Sequence, residues 1–93
     1  MVIGLLEARL SLPEAHSLKD KRRILKSLRD RITVHMNVSV AEVGAQDLWK
    51  SAELAFVTVA AGGTVVDQRL AKIREKLQSD PRYVLLDVHT EEL

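Results

Sequence analysis

The chain contains no cysteine. Disulfides, thiolate metal centres and cysteine nucleophiles are therefore excluded, and a reducing cytoplasm is the expected location. Aromatic residues are nearly as scarce, with one tryptophan, one tyrosine and one phenylalanine in 93 residues. A sheet that reads RNA by stacking needs aromatic side chains on its central strands. Only Phe56 falls on one, so any RNA contact is expected to run through the nucleic-acid backbone with little sequence selectivity. Long apolar runs are missing too. Residues 1–6 are apolar, but Glu7 and Arg9 follow at once, which is too short for a secretion signal or a membrane span. The three histidines, His16, His35 and His89, stand far apart without a ligand-type neighbour at useful spacing, so neither a metal nor another cofactor is expected.

What is present is an ordinary globular composition, 46% apolar and 29% charged, at a length that suits one domain over residues 1–93. The charge is unevenly placed. Residues 17–31 hold seven of the 14 Lys and Arg side chains against two carboxylates, so the rest of the chain is net negative although the whole is +1.

That stretch carries the sharpest helix signal. Ser17 followed by Asp20 has capping-box spacing, with Asp in the place of Glu, and predicts a helix from about Leu18. At 3.6 residues per turn, Leu18, Ile24, Leu25, Leu28 and Ile32 share one sector, which must find a core. The opposite sector carries Lys19, Arg22, Lys26 and Arg29, with Arg23 alongside. Two readings of this stripe are open. It is a solvated face that keeps the chain soluble, or it is a row of cations that meets phosphates and releases their counterions. The segregation of sign favours the second, since solubility is served as well by mixed charges. Lys21 falls inside the apolar sector. Either it snorkels from the first turn to water, or it points into a site at the helix start with His16 and Ser17.

The remaining pattern supplies five further elements. Residues 2–12 alternate as a strand, with Val2, Gly4, Leu6, Ala8, Leu10 and Leu12 on one side. Residues 38–43 form a half-polar strand suited to an edge, 44–47 a turn, and 54–61 a nearly continuous apolar strand suited to the sheet centre. A second helix is expected over 65–78, started by a Thr64–Asp67 capping box, burying Val66, Leu70, Ile73 and Leu77, and ended by Asp80-Pro81. A last strand spans 83–90. Trp49 is expected to plug the end of the core.

The order β-α-β-β-α-β predicts an α+β, ferredoxin-like sandwich: a four-stranded antiparallel sheet with both helices on one face. The other face is then bare. Ile3, Leu5, Leu85 and either Leu54–Phe56–Thr58 or Ala55–Val57–Val59 are expected there, and this face or a strand edge is expected to be covered in a homo-oligomer.

The run EAHSLKDKRRILKSLRDR, followed by NVSVAEVGAQDLW and a C-terminal LLDVHTEE strand, resembles the DUF503, or YlxP-like, family along essentially the whole chain. His16, Ser17, Leu18, Lys19, Lys21 and Arg22 match its signature, as do Asn37, Val38, Ser39, Glu42, Asp47, Leu48 and Trp49. The resemblance implies a ferredoxin-like fold and brings no established catalytic residues. Family members are often encoded beside translation initiation and ribosome-maturation factors, so it also implies association with RNA or the ribosome.

Other chemistry is poorly served. Ser17 beside His16 is better explained as a cap than as a nucleophile. Gly62-Gly63-Thr64 presents backbone N–H groups at a helix start, but Asp67 would repel a phosphate there. An acylphosphatase needs a glycine-rich, arginine-bearing loop where residues 11–17 stand. The leading expectation is a non-enzymatic domain that sets Lys19, Arg22, Arg23, Lys26 and Arg29 against structured RNA or the ribosome, with no membrane partner. A protein-interaction or homo-oligomerising module using the sheet face comes second, and an enzyme built on His16, Lys21 and Glu42 third.

Overall fold

Every second residue from Gly4 to Leu10 is buried, and that alternation sets the layout of the molecule. The computed structural model describes residues 1–93. Its elements run β1 (Val2–Ser11), α1 (Leu18–Thr33), β2 (Val38–Gly44), β3 (Ser51–Ala60), α2 (Gly63–Ser79) and β4 (Val84–Glu92). The sheet order is β2-β3-β1-β4 with every pair antiparallel. The two apolar strands therefore sit inside and the two more polar ones at the edges, as the ferredoxin-like pattern requires. No helix is long and apolar enough to cross a membrane.

The covered face is one core. Leu6, Ala8 and Leu10 of β1 and Leu54 and Phe56 of β3 meet Leu28 and Ile32 of α1 and Val66, Leu70, Ile73 and Leu77 of α2. Burial of each large apolar side chain is worth roughly 1.5–3 kcal/mol, against at most about 1 kcal/mol for an exposed ion pair, so this layer holds the sandwich together. Gly4 lets α2 settle onto the sheet. A methyl group there would collide with Val66 Cγ1 and come within 3.2 Å of Leu70 Cδ1.

Local details depart from expectation where irregular backbone intervenes. β3 starts at Ser51, ahead of its most apolar stretch, because it pairs along the full length of β1 as far as Ser11. α2 starts at Gly63 with Gly62 as an extended N-cap and no side-chain cap, so Thr64 lies inside the first turn and the expected Thr64–Asp67 box does not form. In β4 the pairing steps from Leu10↔Leu85 to Arg9↔Asp87, leaving Leu86 as a bulge. That extra residue breaks the alternation: Leu85 and Val88 both pack against the core, and Leu85 is not on the bare face. Tyr83, just before β4, is buried in the core as well. On the bare side the register exposes Val57 and Val59 beside Leu5 and Ile3, while Leu54, Phe56 and Thr58 are buried.

Candidate nucleic-acid interface on the first helix

Ser17 caps α1, its hydroxyl accepting from Asp20 N at 3.0 Å. The Asp20 carboxylate reaches back one residue further than in a standard capping box and accepts from His16 N at 3.0 Å. From this start the helix turns Leu28 and Ile32 fully inward, with Ile24 and Leu25 at the margin of the core. Lys19, Arg22, Arg23, Lys26 and Arg29 consequently all face solvent. Lys26 pairs with Asp30 at 3.0 Å, both side chains exposed, a contact worth only a few tenths of a kcal/mol. The other four cations pair with no carboxylate. The structure thus brings all five expected residues onto one open surface.

Lys21 behaves differently from a snorkelling lysine. It is 1% exposed, because the connection between β2 and β3 folds over the first turn of α1 and supplies acceptors for its ammonium. Lys21 Nζ lies 2.6 Å from Glu42 Oε2 and donates to the carbonyls of Ala45 at 2.7 Å and Leu48 at 2.8 Å. Two of its three N–H groups are thus hydrogen-bonded to carbonyls, and the contact with Glu42 is an ion pair. The Ala45 carbonyl also accepts from Leu48 N at 3.0 Å, closing the turn, and Ala45 adopts a left-handed φ of 56° to do so. Lys50 Nζ donates to Pro13 O at 2.7 Å, and Leu12 N donates to Lys50 O at 2.8 Å, which ties the far end of the same connection to the end of β1. Leu48 and Trp49 are thereby held at the surface, about half exposed, and Trp49 does not plug the core. Of the three residues expected at the helix start, His16 is exposed, Ser17 is a cap and Lys21 points inward. No side-chain hydrogen bond joins them.

A second ion cluster carries no signal in the sequence pattern. Asp80, expected only to end α2, is 6% exposed and receives Arg82 Nε at 3.0 Å on Oδ1 and Nη2 at 2.7 Å on Oδ2. Arg31 Nη2 approaches the same Oδ2 at 3.1 Å and donates to the Tyr83 hydroxyl at 3.2 Å, while Arg82 Nη2 reaches Ser27 Oγ at 3.2 Å. The cluster fastens the second half of α1 to the α2–β4 connection. Hydrogen bonding from Arg82 holds the Asp80 carboxyl below the usual carboxylate range and the paired guanidinium above its own, and burial pushes the Tyr83 hydroxyl up. Arg31 is therefore tied to this cluster, with its side chain 45% exposed, and lies outside the stripe.

The bare sheet face has the opposite charge. In register, Arg9 lies between Glu53 and Asp87, Glu7 beside His89, and Leu5 beside Glu91. Glu53 and Asp87 thus flank Arg9, with Glu7 and Glu91 further along the same face, and apolar residues lie both at the end that carries Ile3, Leu5, Val57 and Val59 and, at Val43, beside the charged centre. The layers therefore differ in net sign: the helices carry an excess of cations over Asp20, Asp30, Asp67 and Glu75, and the sheet face an excess of acids over Arg9. On the helix side, a groove of about 390 Å³ runs between α1 and the edge strand β2.

Fold and surface together define a ferredoxin-like two-layer sandwich with a cationic helix. The de novo designed protein Foldit4 shares this fold at a TM-score of 0.57 and 9% identity, over 100% of this chain and 97% of that one. The de novo designed protein LFR1 1 with ferredoxin fold gives 0.55 and 14%, over 100% and 84%. The chain belongs to the family described as protein of unknown function, DUF503, whose model matches residues 3–90. It is 30% identical over 80 residues to the uncharacterized protein YlxP of Bacillus subtilis (strain 168), covering 86% of this chain and 87% of that protein.

Proposed function

We propose that this protein is a non-enzymatic RNA- or ribosome-associated domain of the cytoplasm that docks the outer face of α1 on phosphates. The observation that carries this reading is the unneutralised row Lys19, Arg22, Arg23 and Arg29 on a helix of a nearly neutral chain. The acids of the sheet face support it as well. They repel a polyanion from the surface that an RNA-recognition sheet would use, leaving the helix side as the cationic approach. Without aromatic platforms the contact is backbone-led. Exchanging Arg22, Lys26 and Arg29 for Gln is expected to abolish retention of RNA at low salt with the fold intact by circular dichroism; retention equal to the parent's sinks the reading.

A protein-interaction role for the sheet face, including self-association, is the second reading, supported by the exposed apolar end at Val57 and Val59. Such a contact tolerates salt, whereas phosphate binding does not. Sedimentation of a salt-resistant oligomer that Val57→Lys dissociates is the expected result. A monomer at tens of micromolar removes the self-association part of this reading.

A further inference from the structure

The groove between α1 and β2 has a built shape that a solvated helix face has no need of. Its floor is aliphatic, made by Leu25 of the helix and by Val40 and Leu54 of the sheet. Arg22, Lys26 and Arg29 stand on its rim together with Asp30, whose carboxylate is taken up by Lys26, and Glu42 closes the β2 side with its carboxylate against Lys21. β2 has no neighbour on its outer edge. Its volume of about 390 Å³ is shared by other depressions on the surface, so it is the lining, an aliphatic floor between charged walls, that sets this groove apart.

Resting on the reading of α1 above, we propose that this groove receives one unpaired nucleobase, so that the RNA bound is single-stranded or looped and not a duplex. A nucleobase has two apolar faces, a polar edge and a phosphate on either side of its sugar. The groove offers the complement of each: an aliphatic floor for the ring, a carboxylate for the edge, and cations at the rim for the phosphates. A duplex keeps its base faces stacked and cannot enter. Glu42 accepts and does not donate while ionised, and its Oε2 already faces Lys21, so the edge it suits carries N–H groups. Cytosine, with an exocyclic amino group, fits that acceptor better than uracil. Because the floor is aliphatic and not aromatic, discrimination among bases is shallow compared with that of stacking platforms.

The test uses the whole chain with labelled oligo(C), oligo(U) and a duplex of equal length, measured by fluorescence anisotropy. Oligo(C) is expected to bind about tenfold tighter than the duplex and a few-fold tighter than oligo(U). Val40→Phe fills the groove and leaves every cation in place; it is expected to bring oligo(C) down to the duplex level without changing duplex binding. Amide shifts at Leu25, Val40 and Glu42 on adding oligo(C) to the unaltered protein give the same answer without a variant. Equal affinity for strand and duplex, or shifts confined to the outer stripe, overturns the base-binding groove while leaving phosphate docking intact. Absence of salt-sensitive binding to all three probes removes the α1 reading itself. An acidic Leu/Glu peptide that occupies the groove more tightly than oligo(C) and loses affinity on Val40→Phe shows that the groove belongs to a protein partner and overturns the proposal.

Discussion

Replacing Lys21 by Met tests what the buried ammonium does. Met has nearly the same length and can fill the space, so the loss is electrostatic and not volumetric. Three acceptors are affected: Glu42 loses its counter-charge, and the Ala45 and Leu48 carbonyls lose a charged donor. Removing one partner of a buried pair costs about 3–5 kcal/mol. The Glu42 side chain is 25% exposed and regains some water, and Ala45 keeps its bond from Leu48, which together place the cost near the lower end, about 3 kcal/mol. For a domain of this size that is a fall in Tm of roughly 12–24 °C, at about 4–8 °C per kcal/mol. Calorimetry or denaturant unfolding reads the global effect. Two local probes read its location: exchange of the Leu48 amide, and the anisotropy of Trp49, the only tryptophan in the chain. Faster exchange and a more mobile Trp49 are expected. Lys21→Met/Glu42→Leu should recover part of the loss, because the orphaned carboxylate goes while the two carbonyls still lack their donor. A Tm within about 3 °C of the parent, less than 1 kcal/mol, with Leu48 exchange unchanged, refutes the claim that Lys21 fixes this connection.

Three further outcomes follow from packing and titration. Gly4→Ala should destabilise the fold by about 1–3 kcal/mol through overpacking against Val66, and Val66→Ala in the same chain should relieve part of it; strict additivity in denaturant midpoints contradicts the close approach of α2. Asp80 is held below its ordinary value by Arg82, so its contribution is complete above about pH 4 and disappears as pH falls through the lower native value. The Tm gap between parent and Asp80→Asn is therefore expected to be widest near neutrality and to narrow in acid, and a gap independent of pH contradicts the cluster. Burial raises the Tyr83 hydroxyl above its ordinary value, about 10, so its contribution is present below that pH and lost as the pH climbs through the native value. As the only tyrosine, it should show phenolate absorbance at higher pH in the native than in the urea-unfolded chain; coincident midpoints contradict its burial.

The architecture was readable because each local signal agreed with the global one. Alternation in β1, the 3.6-residue spacing of Leu28 and Ile32, and the polar character of β2 all described the same sandwich. The stripe was readable for a similar reason: exposed residues at helical spacing keep their place whatever packs below. The failures involve residues whose environment is made by distant segments. Lys21 looked like an intruder in an apolar sector because its acceptors, Glu42 and the carbonyls of Ala45 and Leu48, lie 21 to 27 positions away. Carbonyls carry no sequence signal, and only Glu42, the one charged residue of β2, points to a partner. Asp80 is masked by Pro81: the proline alone accounts for the helix end, and nothing local marks the carboxylate as buried against two arginines. Leu85 was misplaced because period-2 reasoning has no means of foreseeing a bulge at Leu86. Trp49 was misplaced because size and hydrophobicity argued for the core, while the Lys21 anchor keeps its backbone outside.

The most direct measurement is the salt dependence of RNA affinity for the parent chain and for Arg22→Gln/Arg29→Gln. If α1 docks on phosphates, log K falls linearly with log salt for the parent, and removing two cations makes the slope shallower by roughly 0.7 for each phosphate of a single strand that is no longer neutralised. Equal slopes for the two proteins, or a parent affinity indifferent to salt, would mean that the exposed row on α1 is only a solvated surface.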